Sequence, residues 1–553
     1  MDRVYRWGTK GLFFSVMLMP VLFQRWKLNS DVWFILNSGK YVTEHGIPHT
    51  EPFSMHEGLH FVLEQWMTDV VFWNIFEQFG KIGLLTFTCL IGICLFYMYY
   101  RLCMVVSNGN RHISFVVTFF TGVAACQAFI TTRPQILSML CFLAELICLE
   151  KYVATNKWKW LLPLPVISVI LANIHAALWP MLFILLLPYL AANLLGKLKP
   201  STFGTGFSIV PISVAGIGSF IAGFCNPYGW EAMTFVFYSY DPEIHGFINE
   251  IRPATLKSEY ILFFLTAFLI VMYARNKLPM QYIFLSIGTA LMGFFAVRNM
   301  FLFLMLGTFP IANGYSTWKS VLIEKTVETN AGVKAMSFLL LYILAVYLLI
   351  VKFPQGALEL PLLVKMYFVL MALCFFCFLL GYRVNGRIFD YRVSILRLKS
   401  LIPPVCLILF TGFACWYTEQ IKDDYGECYR QTVDFMLEYE SPSDMVVWTG
   451  FNSGAYVEYR GIKAYVDARP EVFAPANHHG ENNIIKEYFD IVNGELYYKD
   501  VFERYGFTHI MVVPDDGAVY IMLPHDPEYR MIFEQKDDKG NVICRLYVPV
   551  RGE

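Results

Sequence analysis

The chain has 553 residues, of which 56% are hydrophobic and only 16% are charged, and its formal net charge is −1. Its mean hydropathy of +0.48 lies far above that of an ordinary soluble protein. The composition therefore predicts a polytopic membrane protein. The balanced charge, with no basic tail, argues against a nucleic-acid partner.

The first predicted element is an apolar run within residues 10–27 that follows several basic residues, as in a signal peptide. It leads into Gln24-Arg25-Trp26, which is not a small-residue cleavage site, so we expect a retained span. Further runs of about 17 to 25 apolar residues predict an α-helical polytopic fold with about 13 transmembrane helices. The later spans are predicted at 82–106, 113–131, 134–153, 159–174, 175–196, 206–225, 259–275, 279–297, 299–315, 336–352, 361–381 and 401–418.

Lys and Arg are concentrated in alternate connections between the predicted spans, beginning with Arg3, Arg6 and Lys10. The positive-inside rule then makes the N-terminus cytoplasmic. An odd number of spans places everything after residue 417 outside the cell. We therefore expect a multi-pass plasma-membrane protein with a transmembrane domain over 1–417 and a soluble extracytoplasmic domain over 418–553.

The sequence of the predicted C-terminal domain has the pattern of an α/β fold. Short apolar runs (MVVWTG, KAYVDA, THIMVVP and VICRLYVP) alternate with helical stretches at Glu427–Tyr439 and Ile484–Gly506, which is typical of strands and helices in turn. Cys428 and Cys544 lie near the two ends of this domain. A disulfide and two separate thiols are equally consistent with that placement.

The predicted topology places the unusual polar residues on one side of the membrane. They lie in a first outer loop (28–80), in short outer turns and in a second long outer loop (226–258). Polar groups at membrane depth are costly and are usually functional. The set comprises Asp31, Glu51, Glu64, Arg133, Asn173, His175, Asn226, Tyr228, Glu250 and Arg298. Carboxylates and cations together indicate a site for an anionic, lipid-embedded substrate.

Each of these residues also has a purely structural interpretation. Arg133 before Pro134 is placed to reach lipid headgroups and to mark a helix start, and a lone interfacial His175 is more often a hydrogen-bonding residue. Asn226-Pro227-Tyr228-Gly229 is first of all a turn sequence. Glu145, deep in a predicted span, is interpreted as a structural hydrogen-bonding group.

The order of the short motifs resembles the GT-C superfamily of integral-membrane glycosyltransferases, in the branch of protein O-mannosyltransferases and aminoarabinose transferases. The resemblance extends over nearly the whole chain. The motifs are Asp31-Val32-Trp33, the stretch 39–48, Thr50-Glu51-Pro52-Phe53-Ser54, Glu64-Gln65-Trp66, Arg133-Pro134-Gln135, Asn173-Ile174-His175, Asn226-Pro227-Tyr228-Gly229, Arg298-Asn299 and Val466-Asp467-Ala468-Arg469.

The resemblance implies transfer of a sugar from a polyprenyl-phosphate donor to an acceptor on the outer face. It implies that Asp31 is the catalytic carboxylate, with Glu51 and Glu64 beside it in the first outer loop. Contacts to the donor phosphate fall to Arg133, His175 and Arg298. Asn173, Asn226, Tyr228, Glu250, Asp467 and Arg469 are further site candidates.

A divalent metal, Mg or Mn, is a possible cofactor of such a site, with Asp31 and Glu51 as ligands. Two departures from the family pattern bear on it: Glu51 stands where the family carries Asp, and Gln65 is neutral where related chains often carry an acid. Fewer carboxylates are then available to hold a metal. For Asp467 and Arg469, a structural salt bridge is the simpler interpretation.

Two interpretations remain for the segment from Trp66 to Phe79. Its apolar residues recur at near-helical spacing, which suits a helix lying in the membrane interface over the site, but a plain extension of the next span fits equally well. Alternatives to a transferase are a flippase or transporter of lipid-linked saccharide, a cell-surface polysaccharide polymerase or ligase, and an inactive scaffold. Few charged residues lie along the spans, which disfavours transport.

Overall fold

A computed structural model describes residues 28–126, 129–198, 206–239, 250–275, 278–314, 429–475, 483–537 and 540–550, with a few isolated positions before residue 28 and at residue 200. The predicted spans at 336–352, 361–381 and 401–418 lie outside these ranges, as do most of the first span, the predicted domain boundary at 417 and Cys428.

The N-terminal part is mainly helical in the described ranges, apart from the loop at residues 46–65 and the turns between helices. Every predicted span within those ranges falls on helical segments, but the total of thirteen stays a prediction. The helices are α1 Val32–His45, α2 Trp66–Val106, α3 Arg111–Cys126, α4 Gln135–Thr155, α5 Pro163–Ile174, α6 Met181–Leu198, α7 Ile209–Ala222, α8 Trp230–Ser239, α9 Tyr260–Arg275, α10 Met280–Phe295 and α11 Met300–Leu302. A π-helical turn, Phe303–Gly307, continues α11.

Two helical stretches among the described residues are long and apolar enough to cross a membrane by length and composition. They are Trp66–Val106, with 41 residues, and Ala176–Leu198, with 23 residues. Shorter apolar helices accompany them, including Ile209–Ala222 and Met280–Phe295.

Helix α2 is two helices joined at a bend. Gly80 has φ 61° and ψ −161°, a backbone conformation outside the helical region that glycine adopts without strain. The segment Trp66–Phe79 therefore has its own axis and is not a straight extension of the following helix. Its start packs closely on α1, because a Cβ at Gly39 would lie only 2.1 Å from the backbone oxygen of Asp69.

The C-terminal part, residues 429–550, is an α/β unit, as predicted. Its helices are α12 Arg430–Tyr439, α13 Gly454–Tyr459, α14 Ile484–Asn493, α15 Tyr498–Tyr505 and α16 Gly517–Met522. Its strands are β1 Val446–Trp448, β2 Lys463–Ala464, β3 His509–Val512, β4 Tyr529–Lys536 and β5 Val542–Pro549. The predicted helix from Ile484 to Gly506 is interrupted by Gly494, which adopts φ 78°.

The five strands form one mixed sheet in the order β2-β1-β3-β5-β4. The pairs β1–β2 and β1–β3 are parallel, whereas β3–β5 and β4–β5 are antiparallel. In the register, Val447 lies opposite Ala464 and His509, and Met511 lies opposite Leu546. Strand β2 is the edge that faces the N-terminal part.

The first long loop, residues 46–65, is attached to this edge. Ser54 forms a parallel bridge with Ala464, the Met55 amide donates to the Ala464 carbonyl at 3.0 Å, and His56 Nε2 lies 2.9 Å from the Tyr465 carbonyl oxygen. Leu59, Phe61 and Leu63 are buried in the same apolar cluster as Tyr465 and Phe473. The loop and the C-terminal sheet therefore share one core.

Candidate functional site

Asp31 directly precedes α1 and forms the first cluster of predicted site residues. Its Oδ2 lies 2.5 Å from Arg133 Nη2, and its side chain is 21% exposed. Arg133 Nη1 donates to both carboxylate oxygens of Glu250, at 3.1 and 3.2 Å. Burial raises the pKa of Asp31, the Arg133 charge opposes that rise and the Glu250 charge adds to it. One guanidinium thus holds two carboxylates, one of which is the predicted catalytic group.

Glu64 and His175 form a second cluster, one residue contributed by the first loop and the other by the turn after α5. His175 Nε2 lies 3.7 Å from Glu64 Oε1, and Nδ1 lies 2.7 Å from Ser138 Oγ. The Ser138 hydroxyl also lies 3.2 Å from the Pro134 carbonyl, and when it donates there, the Nδ1–H of His175 donates to Ser138 Oγ. Nε2 then carries no proton, and its 3.7 Å separation from Glu64 is longer than a direct hydrogen bond.

The electrostatics of the second cluster agree with that proton arrangement. Burial raises the pKa of Glu64 to about 8, although hydrogen bonds from the amides of Ala177 and Ala176 lower it in part. Burial, together with the charge of Arg298, lowers the pKa of His175 to about 3. At neutral pH the pair is therefore a neutral carboxylic acid beside a neutral imidazole, and it carries one transferable proton.

Asn173 positions this turn against the first loop. Its Oδ1 accepts from Trp66 Nε1 at 3.0 Å, and its Nδ2 donates to the Cys225 carbonyl at 2.8 Å. Thr68 Oγ1 donates to the Ile174 carbonyl at 2.7 Å. These bonds fix the start of α2 on the end of α5, which brings together two motifs more than a hundred residues apart in the chain.

Asn226 and Tyr228 organise the turn before α8. Asn226 Nδ2 donates to the carbonyls of Gly223 and Gly229, and its Oδ1 accepts from the Tyr228 amide at 2.9 Å. Tyr228 is buried, and its hydroxyl donates to the Pro48 carbonyl at 2.7 Å. Both side chains therefore support the turn and hold the first loop against it.

Arg469 forms a third cluster with Glu51, Asp467 and Glu458. Its Nε donates to Asp467 Oδ2 at 2.6 Å, and its Nη2 donates to Glu51 Oε1 at 3.0 Å and to Glu458 Oε2 at 3.2 Å. All four side chains are at most 3% exposed. The predicted salt bridge of Arg469 is present, and it joins the C-terminal unit to the first loop through Glu51.

The three clusters adjoin one another. The Arg298 amide donates to the Glu250 carbonyl at 2.9 Å, which links Arg298 to the first cluster. The charge of Arg298 in turn lowers the pKa values of Glu64 and His175 in the second cluster. The charge of Asp467, in the third cluster, raises the pKa of Asp31 in the first. The predicted site residues therefore surround one region of the molecule, at the junction of the first loop, the helix-connecting turns and the C-terminal sheet.

Three acids of this region did not stand out in the sequence. Asp69 is fully buried in α2. Glu458 Oε2 pairs with Arg469 Nη2 at 3.2 Å. Burial raises the pKa of Glu471 to about 7. Asp69 carried a signal, being one turn beyond Gln65 on the same helix face.

The region does not offer a metal site of the expected kind. Within the described ranges, no group of three or more His, Cys, Asp or Glu residues is arranged to hold a metal ion. The two expected ligands, Asp31 and Glu51, have other partners: Arg133 holds Asp31, and Glu51 accepts from the amides of Phe53 and Ser54 and from Arg469. The residues present therefore do not fit a divalent cation between these two carboxylates.

A pH-dependent stability difference is expected for Glu64→Gln. The folded-state pKa of Glu64 is raised from 4.5 to about 8, so the wild-type protein loses stability as the pH rises from about 4.5 towards 8, where folding opposes ionisation. The amide variant does not ionise. Thermal unfolding of purified protein at pH 5, 7 and 9 should therefore show the unfolding midpoint of the variant rising relative to that of the wild type as the pH increases.

The matched control is Glu57→Gln, an exposed acid of the same loop. It should follow the wild type at all three pH values. A constant offset between Glu64→Gln and the wild type across this range would show that Glu64 ionises freely in the folded protein.

Comparison with known proteins identifies the architecture. The oligosaccharyltransferase of Archaeoglobus fulgidus, solved with a tethered acceptor peptide containing the NVT sequon, is similar with a TM-score of 0.52 and 12% identity, covering 99% of this chain and 74% of that one. The chain has a GT-C fold. It therefore shares the fold of this oligosaccharyltransferase, in agreement with the motif order.

Two further solved structures are similar at lower TM-scores. The archaeal oligosaccharyltransferase AglB of A. fulgidus, in complex with an inhibitory peptide and a dolichol-phosphate, has a TM-score of 0.48 and 11% identity over 97% of this chain and 74% of that one. ArnT of Cupriavidus metallidurans, bound to undecaprenyl phosphate, has a TM-score of 0.45 and 13% identity over 96% of each chain. No protein-family model and no curated protein matches the sequence.

Proposed function

We propose that this GT-C chain is a glycosyltransferase that moves a sugar from a polyprenyl-phosphate donor to an acceptor on the outer face of the plasma membrane. The observation that carries the proposal is the Asp31–Arg133 pair, a partly exposed carboxylate held at 2.5 Å by a guanidinium. A base for the acceptor and a cation for the donor phosphate are thus adjacent.

In the proposed reaction the acceptor oxygen attacks the anomeric carbon of the donor sugar with inversion. The new bond forms between the acceptor oxygen and that carbon, while the bond to the phosphate oxygen breaks and its electron pair leaves with the lipid phosphate. Asp31 takes the acceptor proton. Arg133 and Arg298 stabilise the developing charge on the phosphate, as cationic groups do best in a site with little water.

The second cluster supplies a hydrogen-bond donor in this scheme. Since the pKa of Glu64 is about 8, its carboxyl group is protonated at neutral pH and donates a proton more readily than it accepts one. We propose that Glu64 and His175 act on the phosphate side and that Asp31 acts on the acceptor side. Glu51, Asp467 and Arg469 are proposed to position the first loop.

The test is turnover of a donor panel by the purified full-length protein in nanodiscs, without added metal and with Mg²⁺ or Mn²⁺. Polyprenyl-phosphate and polyprenyl-diphosphate sugars are offered with short glycan, lipid and peptide acceptors. Transfer or release of one sugar is expected with a monophosphate donor. The absence of turnover of every donor, with the lipid phosphate still bound, would instead favour a transporter of lipid-linked saccharide.

A further inference from the structure

The contacts of Arg133 with its two carboxylates are unequal. Asp31 takes Nη2 at 2.5 Å with a side chain 21% exposed. Glu250 places both oxygens on Nη1, at 3.1 and 3.2 Å, with a side chain 53% exposed. Exposed ion pairs contribute little to stability, so the Glu250 contact is the easier of the two to give up.

Two carboxylates do not satisfy the guanidinium of Arg133. Its Nε is buried and has no hydrogen-bond partner in the described part of the chain. A buried donor without an acceptor is rare in folded proteins, and each case calls for an explanation such as an absent ligand. In an arginine this N–H lies on the edge shared with Nη2, so the unused donor faces the side of the guanidinium that holds Asp31 and not the side that holds Glu250.

A phosphoryl group has the chemistry to take the place of Glu250. It carries several acceptor oxygens and suits the planar fork of arginine, so it can replace the two Glu250 oxygens on Nη1. Glu250 also lies beside the second proposed phosphate contact, because its carbonyl accepts from the Arg298 amide at 2.9 Å. A negative charge on Glu250 repels an incoming phosphate.

We infer that Glu250 occupies the position of the donor phosphate on Arg133 and competes with the donor for it, an inference that rests on the proposed function. Arg133 keeps its contact with Asp31 throughout. When the lipid phosphate binds, the Glu250 side chain turns into solvent and Arg133 exchanges one anionic partner for another. Glu250 therefore keeps Arg133 directed at Asp31 in the empty site and sets the affinity of the site for anions.

The test measures binding of undecaprenyl phosphate to the full-length protein in nanodiscs, which requires no sugar transfer. Glu250→Gln should bind the lipid phosphate about two to five times more tightly than the wild type, because the competing charge is gone and an exposed pair accounts for no more than this. In an Arg133→Gln background the same change should have no effect. This second comparison ties the gain in affinity to Arg133.

The matched control is Glu231→Gln, which removes an exposed carboxylate that pairs with His60 at 3.6 Å instead of with Arg133. It changes the net charge by the same amount and should leave the affinity within twofold of the wild type. Equal tightening by both variants would show a general charge effect and would overturn the inference. So would unchanged or weaker binding by Glu250→Gln, or no binding by either wild type or variant.

The outcomes separate this inference from the proposed function. Tighter binding by Glu250→Gln in a protein that turns over no donor would retain the competition on Arg133 and reject the transferase. Turnover of a donor without tighter binding by the variant would do the reverse.

Discussion

Replacing Asp31 by Asn is expected to reduce sugar transfer by about 10²- to 10⁴-fold, the usual contribution of a positioned general base. Asn keeps the size of the side chain and an oxygen for Arg133, but it does not accept the acceptor proton. The donor therefore still binds, and the loss should appear in kcat. Initial rates with the donor that proves productive in the panel provide the measurement.

The control for this experiment is Asp500→Asn, which changes an exposed acid of α15 in the C-terminal unit. It should transfer sugar at the wild-type rate. Thermal unfolding of Asp31→Asn should remain close to that of the wild type, because Asn keeps an oxygen for Arg133 and Glu250 still pairs with the guanidinium. If Asp31→Asn turned over the donor as fast as Asp500→Asn, Asp31 would not be the catalytic base.

The helical part of the fold was predictable because its signal is local. Apolar runs of the length of a span reveal a helix wherever it lies in the chain, and the helices α4, α7 and α10 fall where the runs predicted them. Strand β4 was not predicted. Its sequence, YRMIFEQK, shows no clear alternation, and it becomes a strand through its pairing with β5.

The composition of the candidate site was predictable to a smaller extent. Motif order indicated that Asp31, Arg133 and Glu64 belong to the site. No local pattern shows that Arg133 pairs with Asp31 or that His175 lies beside Glu64. Those pairings come from long-range contacts, such as the bond from Trp66 to Asn173 across 107 residues. Spacing along a chain carries no information on such contacts.

Glu51 shows how the same limit affects the assignment of a role. Its motif, Thr50-Glu51-Pro52-Phe53-Ser54, placed it among the catalytic candidates, and that role stays a prediction. In the structure, its two oxygens accept from the amides of Phe53 and Ser54 and from Arg469, 418 residues away. Glu51 therefore stabilises the turn that follows it and binds the C-terminal unit. A motif does not distinguish these two structural roles from catalysis.

Replacement of Arg469 by Met is expected to have the largest effect on stability. It would leave Glu51, Asp467 and Glu458 buried without their cation, and breaking a buried ion pair from one side costs about 3–5 kcal/mol. The three aromatic rings around the guanidinium, Phe34, Phe53 and Phe61, lie 5.3–6.0 Å from it and add to the loss. Thermal unfolding in detergent should show a clear decrease in the midpoint.

Two further variants make the Arg469 result interpretable. Arg504→Met removes an exposed pair with Glu487 and should cost about 0–1 kcal/mol. Glu458→Gln should be milder than Arg469→Met, because burial raises the pKa of Glu458 well above its usual value and the amide keeps an oxygen that can accept from Arg469. If Arg469→Met does not fold, Glu51→Gln removes one partner of the cluster and reports on the same contact.

The Arg469 variants also connect stability to the site. Glu51 belongs to the loop that carries Glu64, and Trp33, two residues after Asp31, packs on the rings of Tyr456 and Tyr459 at 4.9 Å. Loosening the third cluster should therefore weaken the hold of the C-terminal unit on Asp31 and Glu64, the two carboxyl groups proposed to act in catalysis. A protein with Arg469→Met that unfolded no earlier than Arg504→Met, and transferred sugar normally, would show that the C-terminal unit does not position the site.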